Sequence, residues 1–257
     1  MKSIDINCDM GESHGNFSIG NDAAIFPHIT SSNIACGMHA GDPYHIEKTI
    51  DLALQHGVQI GAHPGYPDLQ GFGRRVIPMK REELKAYIKY QVAALKGMVE
   101  SVGGKLAYVK PHGALYNEMA ANVSEAATVI AGIKAIDPSL MVMGLAGSHV
   151  EQIAAEAGMA FVAEAFADRR YEADGKLRSR LKENAVIGSA ADAASQVVSI
   201  TLNNETKTLD GASVIIKAQS FCIHGDNPVA VDILKAITHQ LQAAGIEKRA
   251  FCYDYAT

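Results

Sequence analysis

The sequence has little of what a membrane protein or a nucleic-acid-binding protein needs. No apolar run approaches the ~20 residues that cross a bilayer, and residues 1–9, MKSIDINCD, carry acidic residues too early for a secretory signal. The formal net charge of -5 and the scattered lysines and arginines exclude the basic patch that binds nucleic acids or anionic membranes. We therefore expect a cytoplasmic protein whose partner is a small molecule or another protein.

Paired cysteines and a phosphate-binding loop are also missing. The cysteines form no CxxC pattern, which excludes a disulfide framework or a structural zinc site and predicts reduced thiols. The sequence contains no GxxxxGK[ST], and Gly103-Gly104-Lys105 lacks the glycine spacing of a P-loop, so any nucleotide must bind in another way. We interpret the first two cysteines as buried packing thiols. The four are Cys8, Cys36, Cys222 and Cys252.

Apolar residues are abundant: 48% of the 257 residues are hydrophobic, enough for one large core, and we predict a single domain over residues 1–257. Short β-prone runs alternate with amphipathic stretches, the pattern of parallel strands joined by crossover helices. The predicted strands are residues 3–9, 32–36, 58–63, 106–111, 140–146, 161–167 and 213–220. The predicted helices are Tyr44–His56, Lys80–Val102, Ser124–Ile136, His149–Ala157, Ala190–Leu202 and Pro228–Ala244.

Seven strand–helix units predict a closed α/β barrel of the TIM-like kind, with a doubly wound open sheet as the alternative. In either fold the ligand site lies beyond the carboxyl ends of the strands. Six of the seven predicted strand ends carry His, Asp, Glu or Arg next to Gly or Pro. One such motif is equally typical of an ordinary polar loop, but six on one rim predict a functional site. They are DMGESHGNF, GMHAGD, PGYPDLQGFGRR, HGALYN, DRRY and FCIHGDNP.

Alternation along the strands indicates which polar side chains point into the barrel, because residues two apart share a face. Unpaired charges there would cost several kcal/mol each. Lys110 and Lys217 should therefore pair with carboxylates or with a bound ligand, and a purely structural ion-pair network is the alternative. The sets that share an inward face are Asp5, Asn7 and Asp9; Lys110 and His112; Glu164 and Asp168; and Lys217 and Gln219.

Four histidines follow predicted strands two, three, four and seven: His39, His63, His112 and His224. With Asp9 or Glu12 they would offer imidazole and carboxylate ligands to a divalent metal. No HExxH or HxxxH pair places two ligands on one element, so general acid–base chemistry or substrate hydrogen bonding is an equal alternative. Arg74 and Arg75 carry guanidinium groups that suit a carboxylate or phosphate, although tandem arginines are also common on plain surfaces.

As a set, the strand-end motifs resemble the LamB/YcsF family across nearly the whole chain. The resemblance implies a seven-stranded TIM-like barrel related to metal-dependent polysaccharide deacetylases. It also implies that the chain acts with two partner subunits to open 5-oxoproline to L-glutamate at the expense of ATP. The segments that carry the likeness are DINCDMGE, SNIACGMHAGD, GAHPGYPD, GFGRR, VKPHGALYN, EAFADRRY and QSFCIHGD.

The residues and the resemblance together predict one site at the carboxyl ends of the strands. The expected catalytic residues are Asp9, Glu12, His63, Lys110 and His112. The expected substrate-binding residues are Asn33, His39, Arg74, Arg75, Tyr116, Glu164, Lys217, Gln219 and His224. If a divalent metal binds, the expected ligands are Asp9, His39 and His63. Two other functions stay open: a stand-alone metal-dependent amide or N-acyl hydrolase, and a non-catalytic regulatory subunit that binds a small molecule.

Overall fold

The computed structural model describes residues 2–180 and 182–251. Its strands are β1 (Ser3–Met10), β2 (Ser31–Ala35), β3 (Gln59–His63), β4 (Leu106–Val109), β5 (Met141–Leu145), β6 (Phe161–Phe166), β7 (Glu205–Lys207), β8 (Ser213–Ile215), β9 (Ser220–Ile223) and β10 (Glu247–Lys248). Its α-helices are α1 (Asp22–Ile25), α2 (Pro43–Gln55), α3 (Arg81–Ser101), α4 (Gly113–Ala121), α5 (Val123–Ile136), α6 (Val150–Glu156), α7 (Ala190–Asn203) and α8 (Ala230–Ala243). A 3-10 turn covers Phe26–His28.

Seven of these strands close into a parallel barrel. Strands β1 to β6 pair in order, β6 pairs with β9, and β9 returns to β1, so the ring has no free edge. At the closure, Asn7 lies opposite Ser31 on β2 and opposite Cys222 on β9. The predicted seven-stranded TIM-like barrel is confirmed, and the open sheet is excluded.

The first strand shows how sequence alternation builds the barrel wall. Ile4, Ile6 and Cys8 are buried in the apolar core between the strands and the helices. The alternate residues are polar and equally buried, and they point to the barrel interior. Polar residues therefore fill part of the interior of this barrel, where Val, Ile and Leu are usual.

All six predicted helices are present, each within two residues of the predicted ends. The start of helix α2 follows from its sequence. The Asp42 carboxylate accepts hydrogen bonds from the backbone N–H groups of Tyr44 and His45, and Pro43 occupies the first turn. Helix α4 was not predicted. It begins directly after His112 at Gly113, a residue that usually ends helices rather than starting them.

The predicted seventh strand, residues 213–220, is wrong. Its first part is β8, which pairs antiparallel with β7 in a hairpin outside the barrel. The barrel strand β9 begins only at Ser220. Strand propensity marks β-branched residues such as Val214 and Ile215 correctly, but it does not say which strand they pair with.

Within the described part of the chain, no helix is long and apolar enough to cross a membrane. The thiols of Cys8, Cys36 and Cys222 are free, and Cys8 and Cys36 are buried as predicted; Cys222 is buried as well. The fourth cysteine, Cys252, lies outside the described residues.

Candidate functional site

The carboxyl ends of β1 to β4 bring a buried group of acids, imidazoles and one lysine together. Since the strands are parallel and adjacent, the residues that follow them meet at one rim. All of these residues are at most 8% exposed. They are Asp9, Glu12, His39, His63, Lys110 and His112.

Lys110 lies at the centre of the deepest part of this group. Its Nζ is 2.9 Å from Asp9 Oδ1 and 2.8 Å from Glu164 Oε1. It also lies 3.2 Å from Asn7 Oδ1 and 3.1 Å from Cys222 Sγ. An ammonium has three N–H donors, so these acceptors occupy all of them.

Burial and ion pairing have opposite effects on the ionisation of Asp9 and Lys110. Burial by itself would raise the pKa of Asp9, but the neighbouring His63 and Lys110 outweigh it and hold that pKa well below its usual range. Burial would lower the pKa of Lys110, yet its acidic neighbours, led by Asp9, hold it well above. Asp9 and Lys110 are therefore an ion pair at neutral pH.

A layer of amide and hydroxyl side chains, deeper in the barrel than Asp9, fixes the position of its carboxylate. Asn33 Nδ2 donates to Asp9 Oδ1 at 2.8 Å and to Asn7 Oδ1 at 2.7 Å, and Asn33 Oδ1 accepts from the Tyr108 hydroxyl at 2.7 Å. Asn7 Nδ2 donates to Glu164 Oε1 at 3.0 Å. Asn33 and Glu164 thus lie one layer below the rim, where they orient Asp9 and Lys110.

Three imidazoles and Glu12 form the layer above Asp9. His63 Nε2 is 3.4 Å from Asp9 Oδ2 and 2.9 Å from His112 Nδ1. The rings of His39 and His112 stack with their centres 3.7 Å apart. Glu12 Oε1 lies 3.4 Å from His39 Nε2 and 3.6 Å from His112 Nδ1. We call these four residues, Glu12, His39, His63 and His112, the imidazole cluster.

The loop after β3 supports the imidazole cluster from outside. Phe72 is a non-glycine residue with φ 54, a backbone conformation that costs energy, and its carbonyl accepts from His112 Nε2 at 2.8 Å. Gly73 has φ 62, and a Cβ there would lie 2.7 Å from both His39 Cβ and His112 Cδ2. Only glycine fits at that position without displacing the imidazoles.

Burial governs protonation in the imidazole cluster. It lowers the pKa of His39 and of His112 well below the usual value, and the neighbouring imidazoles add to the effect. It raises the pKa of Glu12 well above the usual value, with the charge of Asp9 as the next cause. His39 and His112 are therefore neutral near pH 7.

The mouth of the site is lined by groups from the loops after β3, β6 and β9. Arg74 Nη2 lies 2.6 Å from Asp226 Oδ2, which joins the loop after β3 to the loop after β9. His224 Nδ1 lies 2.9 Å from Asp168 Oδ1, and its ring stacks on Phe166 with centres 5.5 Å apart. The Arg74 side chain is 39% exposed, so it is the guanidinium that a solute reaches at this mouth.

Two further predicted residues, Arg75 and Tyr116, lie in different surroundings. Arg75 points outward, with its side chain 61% exposed and paired with Asp68. Tyr116 is buried, and burial followed by the charge of Glu164 raises the pKa of its hydroxyl well above the usual value.

Lys217 and Gln219 are not in the site, and their predicted placement is wrong. Lys217 is exposed, and Gln219 Oε1 accepts from the backbone N–H of Ala163. Both precede β9, so they lie at the opposite end of that strand from the rim. Because the strand was predicted in the wrong place, Cys222 was not recognised as a residue that points into the barrel. A strand that starts at Ser220 puts Cys222 on the inward face by alternation.

Among the residues that the structure describes, two groups of ligand atoms are close enough to hold a metal ion. The imidazole cluster is one, and Asp9 with Cys222 and His224 is the other; in each group the atoms lie within 4.8 Å of one another. The second group already encloses a cation, since Lys110 Nζ contacts both Asp9 and Cys222. Of the three predicted metal ligands, the imidazole cluster contains His39 and His63, whereas Asp9 lies beside it.

Comparison with known proteins agrees with this fold. The LamB/YcsF family model matches residues 4–254. The chain is 47% identical over 254 residues to a protein of Agrobacterium fabrum that is named as a 5-oxoprolinase subunit, and the match covers 99% of this chain and 100% of that protein. The crystal structure of a lactam utilization protein from Thermus thermophilus superposes with a TM-score of 0.92 at 41% identity, covering 98% of this chain and 100% of that one.

A more distant structure shares the fold alone. The family 4 carbohydrate esterase of Streptomyces lividans has a TM-score of 0.50 and 12% identity, covering 96% of this chain and 91% of that one. The full-length matches are far stronger and include every strand that forms the rim. The chain therefore belongs to the LamB/YcsF family.

Proposed function

We propose that the chain is one subunit of an ATP-dependent 5-oxoprolinase, which opens the lactam of 5-oxo-L-proline to L-glutamate as ATP is hydrolysed. The observation that carries the proposal is the 47% identity over 99% of the chain to the Agrobacterium fabrum protein, whose name is that of a 5-oxoprolinase subunit. The name of the Thermus thermophilus relative, a lactam utilization protein, supports the same class of substrate. A protein named for one subunit supports the existence of partner chains, of which we propose two.

The chemistry of a lactam explains why ATP is needed. An amide is stable, and transfer of the γ-phosphoryl group of ATP to the lactam oxygen turns that oxygen into a leaving group. Water then attacks the lactam carbon, the C–N bond breaks, and the ring nitrogen takes a proton. A second water hydrolyses the remaining acyl phosphate, so the products are glutamate, ADP and phosphate.

Asp9 is the group best placed to accept the proton of the attacking water. Lys110 and Asn33 hold its Oδ1, which leaves Oδ2 facing the imidazoles, 3.4 Å from His63 Nε2. Its lowered pKa keeps it in the carboxylate form that a general base requires, and the same shift makes it a weaker base than an ordinary carboxylate. Lys110 has no spare N–H, so it acts through the carboxylate that it orients.

Two further groups have defined roles in this proposal. Arg74 is the exposed cation at the mouth, and its guanidinium suits the carboxylate of 5-oxoproline once it exchanges Asp226 for the substrate. A divalent ion held by Glu12, His39, His63 and His112 would supply Lewis-acid polarisation of a carbonyl or a water molecule.

The test is ATP-coupled release of glutamate from 5-oxoproline by the purified chain, alone and after assembly with its partner subunits. We expect negligible turnover by the single chain and robust turnover by the complex. Robust turnover by the single chain would contradict the role of the partners. A complex that binds 5-oxoproline without turning it over would instead support the non-catalytic function.

The contribution of Arg74 is tested by comparing Arg74→Gln with Arg75→Gln in the assembled complex. We expect Arg74→Gln to raise KM for 5-oxoproline by at least about tenfold, because a charge-assisted contact contributes about 1.5–3 kcal/mol. Arg75→Gln is the matched control, since Arg75 adjoins Arg74 but points away from the mouth, and its KM should stay unchanged. Equal KM values for the two variants would remove Arg74 from substrate binding.

A further inference from the structure

The hydrogen bonds of His63 and His112 leave two lone pairs facing one another. His63 Nδ1 donates to the Lys110 carbonyl at 2.7 Å, and His112 Nε2 donates to the Phe72 carbonyl at 2.8 Å. A neutral imidazole has one N–H, so His63 Nε2 and His112 Nδ1, 2.9 Å apart, both carry lone pairs. Such an arrangement in a buried site requires a cation or a proton between the two nitrogens.

A proton would leave the rest of the imidazole cluster unsatisfied. Glu12 Oε1 and both ring nitrogens of His39 are buried and make no hydrogen bond. Buried polar atoms are rarely left without a partner. A single metal ion would satisfy Glu12 Oε1, one ring nitrogen of His39 and the two facing lone pairs together.

The separations and charges also fit an ion. Ligand atoms on a tetrahedral zinc at about 2.0–2.1 Å are about 3.4 Å apart. The contacts among His63 Nε2, His112 Nδ1, Glu12 Oε1 and His39 Nε2 are 2.9, 3.6 and 3.4 Å in that order. The adjoining Asp9 and Glu164 together with an ionised Glu12 carry three negative charges against the single positive charge of Lys110, so a divalent cation brings the whole group to neutrality.

We propose that Glu12, His39, His63 and His112 bind one divalent transition-metal ion of the zinc type. Three imidazoles and one carboxylate are the donors that such ions prefer, whereas magnesium and calcium select all-oxygen sites. Burial keeps His39 and His112 neutral near pH 7, which is the form that coordinates a metal. The site stands independently of the proposed function, because its test measures metal binding rather than turnover.

His39 has to turn for all four ligands to reach one ion. Its ring is nearly parallel to that of His112, with an angle of 6° between the planes, and an ion cannot lie in both ring planes at once. The His39 nitrogens make no hydrogen bonds, so the rotation breaks none. We therefore expect His63 and His112 to contribute most of the affinity.

The first experiment titrates chelator-treated, dialysed full-length protein with Zn²⁺ by calorimetry, and separately with Mg²⁺. The expected result is one Zn²⁺ per chain and no saturable heat with Mg²⁺. Absence of saturable Zn²⁺ binding, or equally tight binding of Mg²⁺, would overturn the proposal. Bound Zn²⁺ should also raise the thermal unfolding midpoint, because only the folded chain presents the site.

The second experiment replaces zinc by Co²⁺ in the unaltered protein and records the absorption spectrum. Nitrogen and oxygen ligands give visible d–d bands without a cobalt–thiolate charge-transfer band in the near ultraviolet. A thiolate band would place the ion at Cys222 with Asp9 and His224, and the assignment would be wrong. This measurement needs no variant and so does not depend on a substituted protein folding.

The third experiment compares the Zn²⁺ affinities of variants whose folding is checked by circular dichroism. We expect His112→Gln and Glu12→Gln to weaken Zn²⁺ binding by at least about 100-fold. This is more than is lost when a group that only hydrogen-bonds a metal ligand is removed. His45→Gln is the matched control, a histidine on α2 that is paired with Asp42, and it should bind as the unaltered chain does. Unchanged affinity in His112→Gln, or equal loss in His45→Gln, would overturn the proposal.

Discussion

Lys110 is a buried cation whose ammonium group is held by its hydrogen-bond acceptors. Its Nζ is shared among two carboxylates, an amide oxygen and a thiol, and the residue is 2% exposed. An ammonium so enclosed stabilises charge that lies next to it but cannot move out to a ligand. We therefore assign Lys110 to holding Asp9 ionised and oriented, and we expect its removal to affect folding as well as turnover.

Lys110→Met should destabilise the chain by about 3–5 kcal/mol, because it leaves Asp9 and Glu164 as uncompensated buried charges. Turnover of the assembled complex should fall by orders of magnitude. The measurements are urea unfolding of the chain and glutamate release by the complex. Lys105→Met, at the exposed start of the same strand, is the matched control and should change stability by less than about 0.5 kcal/mol.

The double variant Lys110→Met with Glu164→Gln separates charge from packing. Removing one of the two stranded carboxylates should recover part of the lost stability, and the double-mutant cycle measures how strongly the pair is coupled. If the double variant is no more stable than Lys110→Met, the loss comes from packing, and the charge argument fails.

At the scale of elements, the loop after β3 is built to hold the imidazoles. Phe72 places its carbonyl on His112 and its ring 5.9 Å from that of His39, edge to face. Gly73 then brings the backbone against both imidazoles, and its carbonyl accepts from the backbone N–H of Ala114 in α4. This loop and helix α4 hold His112 between them, so the site depends on a backbone conformation as much as on side chains.

Gly73→Ala should disturb the imidazoles, because the added Cβ would overlap His39 and His112. Gly57→Ala is a matched control: Gly57 has φ 63, nearly the same as Gly73, and has nothing within 4 Å of an added Cβ. Both variants carry the cost of a left-handed alanine, but only Gly73→Ala adds overpacking of about 1–3 kcal/mol. Urea unfolding and complex turnover compare the two, and equal effects would show that the imidazoles tolerate the contact.

At the scale of the whole molecule, a buried polar layer joins strands around the barrel. Its hydrogen bonds link residues that are as much as 215 positions apart in the chain. Contacts between β1 and β9 form only when the ring of strands closes, so this layer stabilises the closed barrel. Its members on β1, β2, β4, β6 and β9 are Asp5, Asn7, Ser31, Asn33, Tyr108, Glu164 and Ser220.

The layer predicts a specific dependence of stability on pH through Asp5. Burial raises the pKa of Asp5 from 3.8 to about 6, although hydroxyl donors led by Ser220 oppose the shift. The folded chain therefore binds this proton more tightly than the unfolded chain does. The resulting stability is present below pH about 4 and is lost as the pH rises through about 6, by about 3 kcal/mol in total.

Asp5→Asn isolates this effect, since asparagine does not titrate. The free energy of unfolding of the unaltered chain, minus that of Asp5→Asn, should fall by about 2.4 kcal/mol between pH about 4 and about 7, measured by urea unfolding at each pH. A difference that does not change with pH would mean that the hydroxyl groups of Thr30, Ser31 and Ser220, which donate to Asp5, hold it ionised throughout.

Much of the fold and the site could be predicted from local pattern alone. Period-two alternation in residues 3–9 identified a strand with a polar inner face, and amphipathic spacing identified helices such as α3 and α8. Because parallel strands end at one rim, Asp9, His63 and His112 could be placed together before any contact was known. These conclusions need only the order of elements along the chain.

Other conclusions depend on contacts that no local pattern contains. Residues 213–220 have strand propensity throughout. Propensity does not decide whether such a segment pairs with the barrel strands or with β7 in the hairpin outside the barrel, because that depends on which strands are near enough to form hydrogen bonds with its backbone. For that reason Lys217 and Gln219 were misplaced and Cys222 was missed. Helix α4 was missed because its start at Gly113 is set by packing against Gly73 rather than by a cap.

The sequence by itself determined the order of strands and helices, the polar rim and most of the residues on it, because these follow from side-chain periodicity and chain connectivity. Only the tertiary structure decided which of the rim residues pair with one another. Lys110 joins Asp9 and Glu164, whereas Glu12 and His39 keep buried polar atoms without a hydrogen bond, close to the facing nitrogens of His63 and His112. The physical reason is that pairing depends on distances of about 3 Å between residues far apart in the chain, which ring closure sets and composition does not.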